Sequence, residues 1–413
     1  MRLGAPDGAA DAPPEAREHA TQPSDAAPRL DRFLAGDGLR LLAAVGVLVF
    51  HALVVASTTH PDATPDDSID ARIANLGRIG LWVFFVLSGY LLARPFVAAF
   101  VERRELPSVR NYMRNRLLRI VPALWLAAIL TLIVFGRQGA GLGQIAAVFL
   151  FVQEADSSAF SRHMLHAWSV DVELAFYLLL PLAAAALFWI ARRTRVPRAG
   201  LVWLLLAGVW LASLAFQRAL ESNTLLSDGW QRSPPAVFYA FVPGLVLALV
   251  EVQFGARLRG LRGARVLVTA LLAGGLAIAT VHTFQLPADS AWKPSITAAL
   301  AAGAIVGSAL MLQWTTGGAW RALTNRPIQW LGERSYGIYL FHLGAMLWID
   351  DRIDVSHGAR RAILIAGAFA LATALAALSY RFVEQPFLRL RHGWRQPPAA
   401  SHASRKGPAS AWR

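Results

Sequence analysis

The chain has 413 residues, of which 55% are hydrophobic and only 16% are charged, and its mean hydropathy is +0.43. Because a soluble protein carries about 25% charged residues, this composition excludes an ordinary soluble domain and indicates a membrane protein. The formal net charge of +14 does not indicate nucleic acid binding, because arginines cluster in short loops between apolar runs and the sequence holds no basic-aromatic module.

Ten apolar runs come close to the roughly 20 residues that a helix needs to cross a bilayer. We therefore predict an all-α, polytopic membrane protein with about ten transmembrane helices. The predicted spans lie near residues 38–57, 77–98, 117–136, 168–190, 200–220, 236–252, 266–284, 295–314, 328–349 and 361–381. A further run, "QIAAVFLFV" at 144–152, is too short to span and is predicted to be an interfacial or re-entrant segment on the outer side.

The loops between the runs indicate the orientation of the spans. Arginines collect in alternate loops, near residues 103–116, 192–198, 257–265 and 321–326, whereas the loop at 58–76 is acidic. Since positively charged loops stay in the cytoplasm, this alternation across ten spans places both termini there. We predict a multi-pass protein of the plasma membrane.

The two ends of the chain differ from the spans in composition. Residues 1–28 are rich in Ala, Pro and Asp and lack an apolar core, which excludes a secretory signal and predicts a disordered cytoplasmic tail. Residues 29–390 form the predicted transmembrane domain, and residues 391–413 form a basic cytoplasmic tail.

The first predicted span carries two ionisable residues, Arg40 and His51. They are eleven positions apart, which is close to three helical turns, so both side chains lie on one face of the helix, about 16 Å apart along its axis. Ionisable groups at membrane depth are costly, and their presence by default indicates function.

Other ionisable residues fall in the outer halves of the spans. Asp171 and Glu173 lie just inside the outer end of the fourth span, and His342 lies in the ninth. Together with His51, they form a group that suits proton transfer. For His342 an alternative remains open, namely that it is only a buried hydrogen-bonding partner.

A second group lies at the cytoplasmic ends of the spans. Arg116 and Arg119 are three positions apart and therefore make one basic helix face, which suits the binding of phosphates. The same ends also hold Arg40, Glu333, Arg334, Arg381 and Glu384. The alternative for any one arginine is that it only extends to the membrane interface and sets topology.

Six segments, in order from about residue 30 to residue 388, resemble the acyltransferase 3 family of bacterial integral-membrane O-acyltransferases. They are "RLDRFLAGDGLRLLAAVGVLVFH", "GLWVFFVLSGYLL", "RNRLLRIVPALW", "WSVDVELAFYLLLP", "LGERSYGIYLFH" and "SYRFVEQPF". The first resembles the family's opening helix, with an arginine, ten residues and then a histidine. The others resemble, in turn, its FFVLSGF, RxxR-I-P-x-x-W, WSLxVExxFYLxxP, LGxxSYxxYLxH and SYRxxExP segments. Six ordered motifs are far more specific than any one of them.

The resemblance implies about ten helices around a central cavity, a cytoplasmic acyl-CoA as co-substrate and an acceptor hydroxyl on a sugar-containing molecule. By motif, Arg40 and His51 match the family's essential pair, Arg116 and Arg119 match its RxxR pair, and Glu173 matches the first acid of WSLxVE. Late-motif positions of less clear role are matched by Tyr336, His342 and Glu384.

The chain departs from the family pattern at two positions. Trp82 and Leu174 stand where the family often has acidic residues, which leaves the subfamily open. The chain resembles the stand-alone form of the family, without a fused hydrolase-like domain. The "FFVLSGY" segment also has a simpler interpretation, because Ser88 and Gly89 are small residues that allow helices to approach closely.

Acyl transfer from a thioester to an alcohol needs a base for the hydroxyl proton, and histidine suits this role at neutral pH. We predict His51 as the general base, Glu173 as the carboxylate that orients it and Arg40 as the third catalytic residue. Arg116 and Arg119 are the predicted donor-binding residues. An extended pantetheine arm is roughly as long as half a bilayer, about 15 Å of hydrocarbon core, so the thioester can reach from the arginines to His51.

Further residues have supporting or alternative roles. The oxyanion donor stays open among Tyr336, Tyr177 and Trp168. A covalent acyl-enzyme is an alternative route, with Ser88, Ser169 or Ser335 as the nucleophile. Supporting roles are predicted for Tyr336, His342, Trp168, Ser88 and Glu384.

We expect no tightly bound cofactor and no metal site, and the absence of cysteine excludes thiolate ligands and a cysteine nucleophile. The expected partners are acyl-CoA, with acetyl as the first choice of acyl group, the lipid bilayer and a sugar-containing acceptor, but not nucleic acid. The acceptor stays open among a glycan, a glycolipid and a glycosylated small molecule. Two other functions stay open, a proton-coupled transporter and a non-catalytic relative, although the repeated halves typical of transporters are not evident.

Overall fold

The computed structural model describes residues 32–58, 69–137, 139–152, 163–222, 228–285 and 296–390. The predicted tails at 1–28 and 391–413 lie outside these ranges. The chain divides into two units, Met1–Phe33 and Leu34–Arg413, and the second unit contains all the helices considered below.

The described residues form helices and turns and contain no strand. The main helices are α1 (Gly36–Thr58), α2 (Ile69–Val101), α3 (Val109–Phe135), α4 (Leu142–Phe149), α5 (Trp168–Ala191), α6 (Arg198–Ser222), α7 (Val242–Leu258), α8 (Ala264–Gln285), α9 (Ile296–Thr316), α10 (Arg326–Glu333), α11 (Ser335–Asp350) and α12 (His357–Ser379). Shorter helical turns lie at Leu165–Ala167, Asp228–Arg232, Pro234–Val237, Phe238–Phe241, Arg321–Thr324, Tyr380–Glu384 and Gln385–Arg389.

Within the described ranges, nine helical segments are long and apolar enough to cross a membrane. They are Gly36–Ser57, Ile69–Val101, Val109–Phe135, Leu165–Ala191, Arg198–Leu220, Pro234–Leu258, Ala264–Phe284, Ile296–Thr316 and Gly358–Arg389. The prediction of an all-α, multi-pass membrane protein is thereby confirmed. The apolar run that is too short to span forms most of α4, a helix of only 8 residues.

The predicted span at 328–349 is divided in the structure. The chain forms α10 over 8 residues, leaves the helix at Arg334 and continues as α11 over 16 residues. At 1.5 Å per residue, α11 is about 24 Å long. The division accompanies close packing, because a Cβ atom at Gly332, near the end of α10, would overlap the carbonyl oxygen of Asp37 at the start of α1.

The first two helices pack backbone against backbone. A Cβ atom at Gly46 would lie 2.9 Å from the carbonyl oxygen of Gly77, and one at Gly80 would overlap the carbonyl oxygen of Ala43. Small residues allow membrane helices to approach each other in this way. The contact holds α2 against the part of α1 that immediately precedes His51.

Farther along, α2 packs against α7 and the turn before it. A Cβ atom at Gly89 would lie 2.5 Å from the carbonyl oxygen of Phe241. Arg94 Nη2 lies 2.5 Å from Glu251 Oε1, and the Tyr90 hydroxyl donates to Glu251 Oε2 at 2.7 Å. Close packing and a largely buried ion pair therefore stabilise the inner half of α2.

Ion pairs also join the opposite ends of the helices. Arg360 Nε lies 2.7 Å from Asp350 Oδ1, and Arg361 pairs with Asp70. These contacts connect the start of α12 to the end of α11 and to the start of α2. Next to them lies an apolar core formed by Leu48, Ala52, Ala56, Met346, Leu364 and Ala368.

Candidate active site

Three histidines cluster where α1, α11 and the turn before α5 meet. The ring centroids of His51 and His342 are 5.0 Å apart, those of His166 and His342 are 4.9 Å apart, and those of His51 and His166 are 6.4 Å apart. All three side chains are buried. Nδ1 of His51 lies 3.1 Å from Nε2 of His342. The structure thus joins two of the residues predicted from the sequence, His51 and His342, by direct contact.

His166, which is not among the residues predicted from the sequence, completes the cluster. It lies in the turn Leu165–Ala167, and its Nε2 is 3.0 Å from the carbonyl oxygen of Leu340 on α11. The sequence signal for it is a histidine two positions before Trp168. The predicted span begins at Trp168, however, and therefore does not include His166.

A tyrosine and a serine connect this cluster to the rest of the bundle. The Tyr339 hydroxyl donates to the carbonyl oxygen of His166 at 2.6 Å and lies 2.7 Å from Oγ of Ser169. The Tyr339 ring also packs at 5.6 Å from the ring of Phe84 on α2. These contacts fasten the start of α5 to α11 beside His342.

A second polar site lies nearer the predicted cytoplasmic ends of the same helices. A cavity of about 90 Å³ is lined by three arginines, Arg40, Arg116 and Arg119, and by Glu173. Arg40 comes from α1, and the other two arginines come from one face of α3, as their spacing predicts. Arg40 also pairs with Asp37 at 2.8 Å. Three cations around one small cavity make it suitable for an anionic group.

Glu173 lies in this cavity, which corrects its predicted grouping with His51 in the outer half. Its Oε1 accepts hydrogen bonds from Ser88 and, at 2.7 Å, from the Tyr177 hydroxyl. His166 takes the position near His51 instead. It precedes Glu173 by seven residues, a helical distance of about 10 Å at 1.5 Å per residue.

The remaining predicted hydroxyl and indole groups have structural partners. The Tyr336 hydroxyl lies beside the cavity and donates to the carbonyl oxygen of Ile120 at 3.1 Å. Trp168 is buried, with its ring 6.4 Å from the ring of Phe85. Because the Tyr336 and Tyr177 hydroxyls already donate within the protein, the oxyanion donor stays unassigned.

Glu384 lies behind the basic cavity rather than in its wall. It ends the turn Tyr380–Glu384, is buried and accepts a hydrogen bond from Ser379 at 3.3 Å. It lies close enough to Arg119 and Arg334 to interact electrostatically with both. Its position therefore suits a role in holding Arg119.

The basic cavity and the histidine cluster occur in the same order on different helices. On α1, Arg40 precedes His51 by about 16 Å, and on α11, Ser335 at the cavity wall precedes His342 by about 10 Å. The cavity thus lies toward the predicted cytoplasmic side and the histidines lie outward from it. The bundle therefore holds two separate polar sites at different depths, one cationic and one formed by imidazole groups.

The chain belongs to the acyltransferase 3 family. Residues 34–381 match the family model, which is described as an acyltransferase domain. The family inferred from the six sequence motifs is therefore confirmed.

Three individual relatives are 23–28% identical to the chain. The chain is 28% identical over 407 residues to acyltransferase MdmB of Streptomyces mycarofaciens, covering 91% of this chain and 96% of that protein. It is 25% identical over 371 residues to peptidoglycan O-acetyltransferase OatA of Listeria monocytogenes, covering 85% of this chain and 55% of the relative. It is 23% identical over 382 residues to O-acetyltransferase OatA of Staphylococcus aureus, covering 86% and 57%. The chain thus spans about half the length of these O-acetyltransferases. No solved structure matches it.

Proposed function

We propose that this protein is a membrane O-acyltransferase that moves an acyl group, acetyl as the first choice, from cytoplasmic acyl-CoA to a hydroxyl of a sugar-containing acceptor. The observation that carries the proposal is the order of the two sites. A basic cavity lies toward the predicted cytoplasmic ends of the helices, and a buried histidine cluster lies about 10–16 Å farther along the same helices, at 1.5 Å per residue. That separation is close to half the hydrocarbon core of a bilayer.

The basic cavity would bind the phosphates of the donor. Arg40, Arg116 and Arg119 supply positive charge, and guanidinium groups form strong, often bidentate bonds to phosphate. Ser335 and Tyr336, at the start of α11, also line the cavity.

Glu173 would organise this cavity. It accepts hydrogen bonds from Ser88 and Tyr177 and offsets part of the charge of the three arginines. Its carboxylate would thereby fix two hydroxyl groups in the wall of the cavity. This is a different role from the partner of His51 that the sequence motif suggests.

At the histidine cluster, His51 would act as the general base. The acceptor oxygen attacks the thioester carbonyl carbon while His51 takes the hydroxyl proton. The C–S bond then breaks, and the proton passes to the CoA sulfur. The products are the O-acyl ester and CoA-SH, so the acyl group ends on the acceptor oxygen and the hydroxyl proton on the CoA sulfur.

The test is release of CoA from acetyl-CoA by the purified protein in nanodiscs, with chitopentaose as the glycan acceptor probe. Because the chain has no cysteine, a thiol reagent reads only the CoA that is released. We expect His51→Ala to lose turnover but to keep binding labelled CoA. His282→Ala is the matched control, because His282 is also buried but hydrogen-bonds to Thr297 away from the cluster.

The outcomes separate the parts of the proposal. Turnover that persists in His51→Ala would remove this histidine from catalysis. If acetyl-CoA and chitopentaose give no turnover, CoA binding decides, because a protein that does not bind CoA with its cavity arginines intact is not a CoA-dependent acyltransferase. Loss of binding in the double variant Arg116→Gln/Arg119→Gln would place the donor in the basic cavity.

A further inference from the structure

The hydrogen bonds of the histidine cluster define which ring nitrogens carry protons. Nδ1 of His342 lies 2.6 Å from the carbonyl oxygen of Tyr339. A carbonyl oxygen only accepts hydrogen bonds, so Nδ1 of His342 is the protonated nitrogen. A neutral imidazole carries a single N–H, and Nε2 of His342 is therefore an acceptor.

The contacts of His51 lead to a matching assignment. Its Nδ1 lies 3.0 Å from the carbonyl oxygen of Val47 and 3.1 Å from Nε2 of His342. Both neighbours are acceptors, so the two contacts together favour a proton on Nδ1 of His51, which they share. In the neutral ring, the lone pair is then on Nε2.

We propose that His342 is a positioning residue for His51. By accepting the Nδ1 proton together with the Val47 carbonyl, it holds His51 in the tautomer whose Nε2 can take the hydroxyl proton of the acceptor, and without it only the carbonyl would favour that tautomer. His342 thus occupies the place that a carboxylate has in a serine-protease-type triad. The inference rests on the proposed role of His51 as general base and adds the residue that orients it.

The contact between Nδ1 of His51 and Nε2 of His342 also stabilises the protonated, charged state of His51. When Nε2 takes the acceptor proton, the ring becomes an imidazolium with an N–H at both nitrogens. The Nδ1 proton remains between the Val47 carbonyl and Nε2 of His342, and both acceptors stabilise the new charge. Only the hydroxyl proton moves in this step, and it moves to Nε2.

His166 would hold His342 in place. Its Nε2 contacts the carbonyl oxygen of Leu340, and its own carbonyl oxygen accepts from Tyr339. Tyr339 and Leu340, which immediately precede Phe341 and His342 on α11, are thus both hydrogen-bonded to His166 in the turn before α5. This explains how the acceptor nitrogen of His342 is kept at hydrogen-bond distance from a ring on another helix.

The first test compares three variants by kcat and by donor KM. In His342→Gln, the side-chain oxygen lies near the position of Nε2 and can accept the Nδ1 proton, whereas His342→Leu removes the acceptor at similar size. Since general-base catalysis contributes about 10²–10⁴-fold, we expect His342→Leu to lower kcat at least about tenfold, with donor KM and CoA binding unchanged. We expect His342→Gln to stay within about threefold of the wild type, and His282→Gln to match the wild type.

The kinetic outcomes are decisive once His51→Ala is known to be inactive. A wild-type kcat in His342→Leu overturns the proposal, as does an equal loss in His342→Leu and His342→Gln at unchanged thermal stability. Turnover in His51→Ala would instead overturn the proposed function.

A second test needs no turnover. Nitrogen-15 NMR of histidine-labelled protein in nanodiscs reports which ring nitrogen is protonated, and the His51 signals are those missing from His51→Gln. We expect Nδ1–H and an unprotonated Nε2 in the wild type and in His342→Gln, and a mixture of tautomers in His342→Leu. A wild-type His51 protonated at Nε2 instead, or no change in His342→Leu, overturns the proposal.

Discussion

Replacing Gly89 with alanine adds a Cβ atom where α2 has no room for it. That atom would lie 2.5 Å from the carbonyl oxygen of Phe241, and 3.3 Å and 3.4 Å from its carbonyl carbon and Cα. All three are backbone atoms, so none can rotate away. The shortest favourable carbon–oxygen contacts are about 3.3 Å, and α2 must therefore move by roughly 0.8 Å.

The expected cost follows from two opposing effects. An added methyl group in a well-packed interior destabilises a protein by about 1–3 kcal/mol. Alanine in place of glycine stabilises a helix by up to about 1 kcal/mol. We therefore expect Gly89→Ala to destabilise the protein by roughly 1–2 kcal/mol. It should also lower turnover, because the adjacent Ser88 lies in the cavity wall.

The matched control is Gly208→Ala on α6, where an added Cβ atom meets nothing within 4 Å. Both variants gain the same helix propensity, so the difference between them isolates the packing cost. The assay is thermal unfolding in detergent followed by the fluorescence of the 14 tryptophans. We expect the midpoint of Gly89→Ala to lie roughly 1–3 °C below that of Gly208→Ala, because an unfolding entropy of about 2 cal/mol/K per residue over 413 residues corresponds to about 1 °C per kcal/mol. Equal midpoints would refute close packing at Gly89.

Three other predictions concern the ion pairs and the site. Arg119→Gln should weaken the binding of labelled CoA by roughly 10–100-fold, since a hydrogen bond to a charged group contributes about 1.5–3 kcal/mol. The control is Arg193→Gln, which is exposed beyond the end of α5 and should leave CoA binding unchanged. Equal effects of the two variants would contradict donor binding in the cavity. Asp350→Asn should lower the unfolding midpoint because it removes the carboxylate charge that pairs with Arg360 at 2.7 Å, and the double variant with Arg360→Gln should recover part of the loss. Additive losses would argue against the pair. Tyr339→Phe should lower both the midpoint and kcat, because it removes the hydroxyl that fastens α11 to the turn before α5, and an unchanged kcat would show that this bond does not support the site.

Hydropathy was sufficient to locate most of the spans, because crossing a bilayer requires a minimum length of apolar helix. It did not locate the division between α10 and α11. That division accompanies a contact between Gly332 and Asp37, which are far apart in the sequence but adjacent in the fold. A contact of this kind does not change the local hydropathy, so the sequence predicts a single span over 328–349.

In the site, too, local geometry places residues that share one helix but not residues on different helices. Arg40 and His51 share one helix, so the geometry of an α-helix alone places them on one face at a known separation. The depth of Glu173 relative to His51 depends on how far α5 is shifted along α1, and no local pattern encodes that shift. The structure sets it so that His166, rather than Glu173, lies near His51. The motifs thus singled out Glu173 on α5 but not its partners in the structure, Ser88 and Tyr177.

The close packing of α1 on α2 has a mechanical consequence. Helices in backbone contact cannot slide or tilt independently without opening voids, so α1 and α2 would move as one stiff body that carries Arg40 and His51 together. Any widening of the cavity to admit a nucleotide-bearing donor would then require movement of α3. This helix faces outward at Ile129 and Ile133, whose side chains are 45% and 72% exposed. This hypothesis predicts that spin labels on α1 and α2 keep one narrow distance distribution with and without CoA, whereas labels on α1 and α3 change theirs. Because the chain has no native cysteine, introduced cysteines carry the labels without background, and a shift between α1 and α2 would count against the stiff pair.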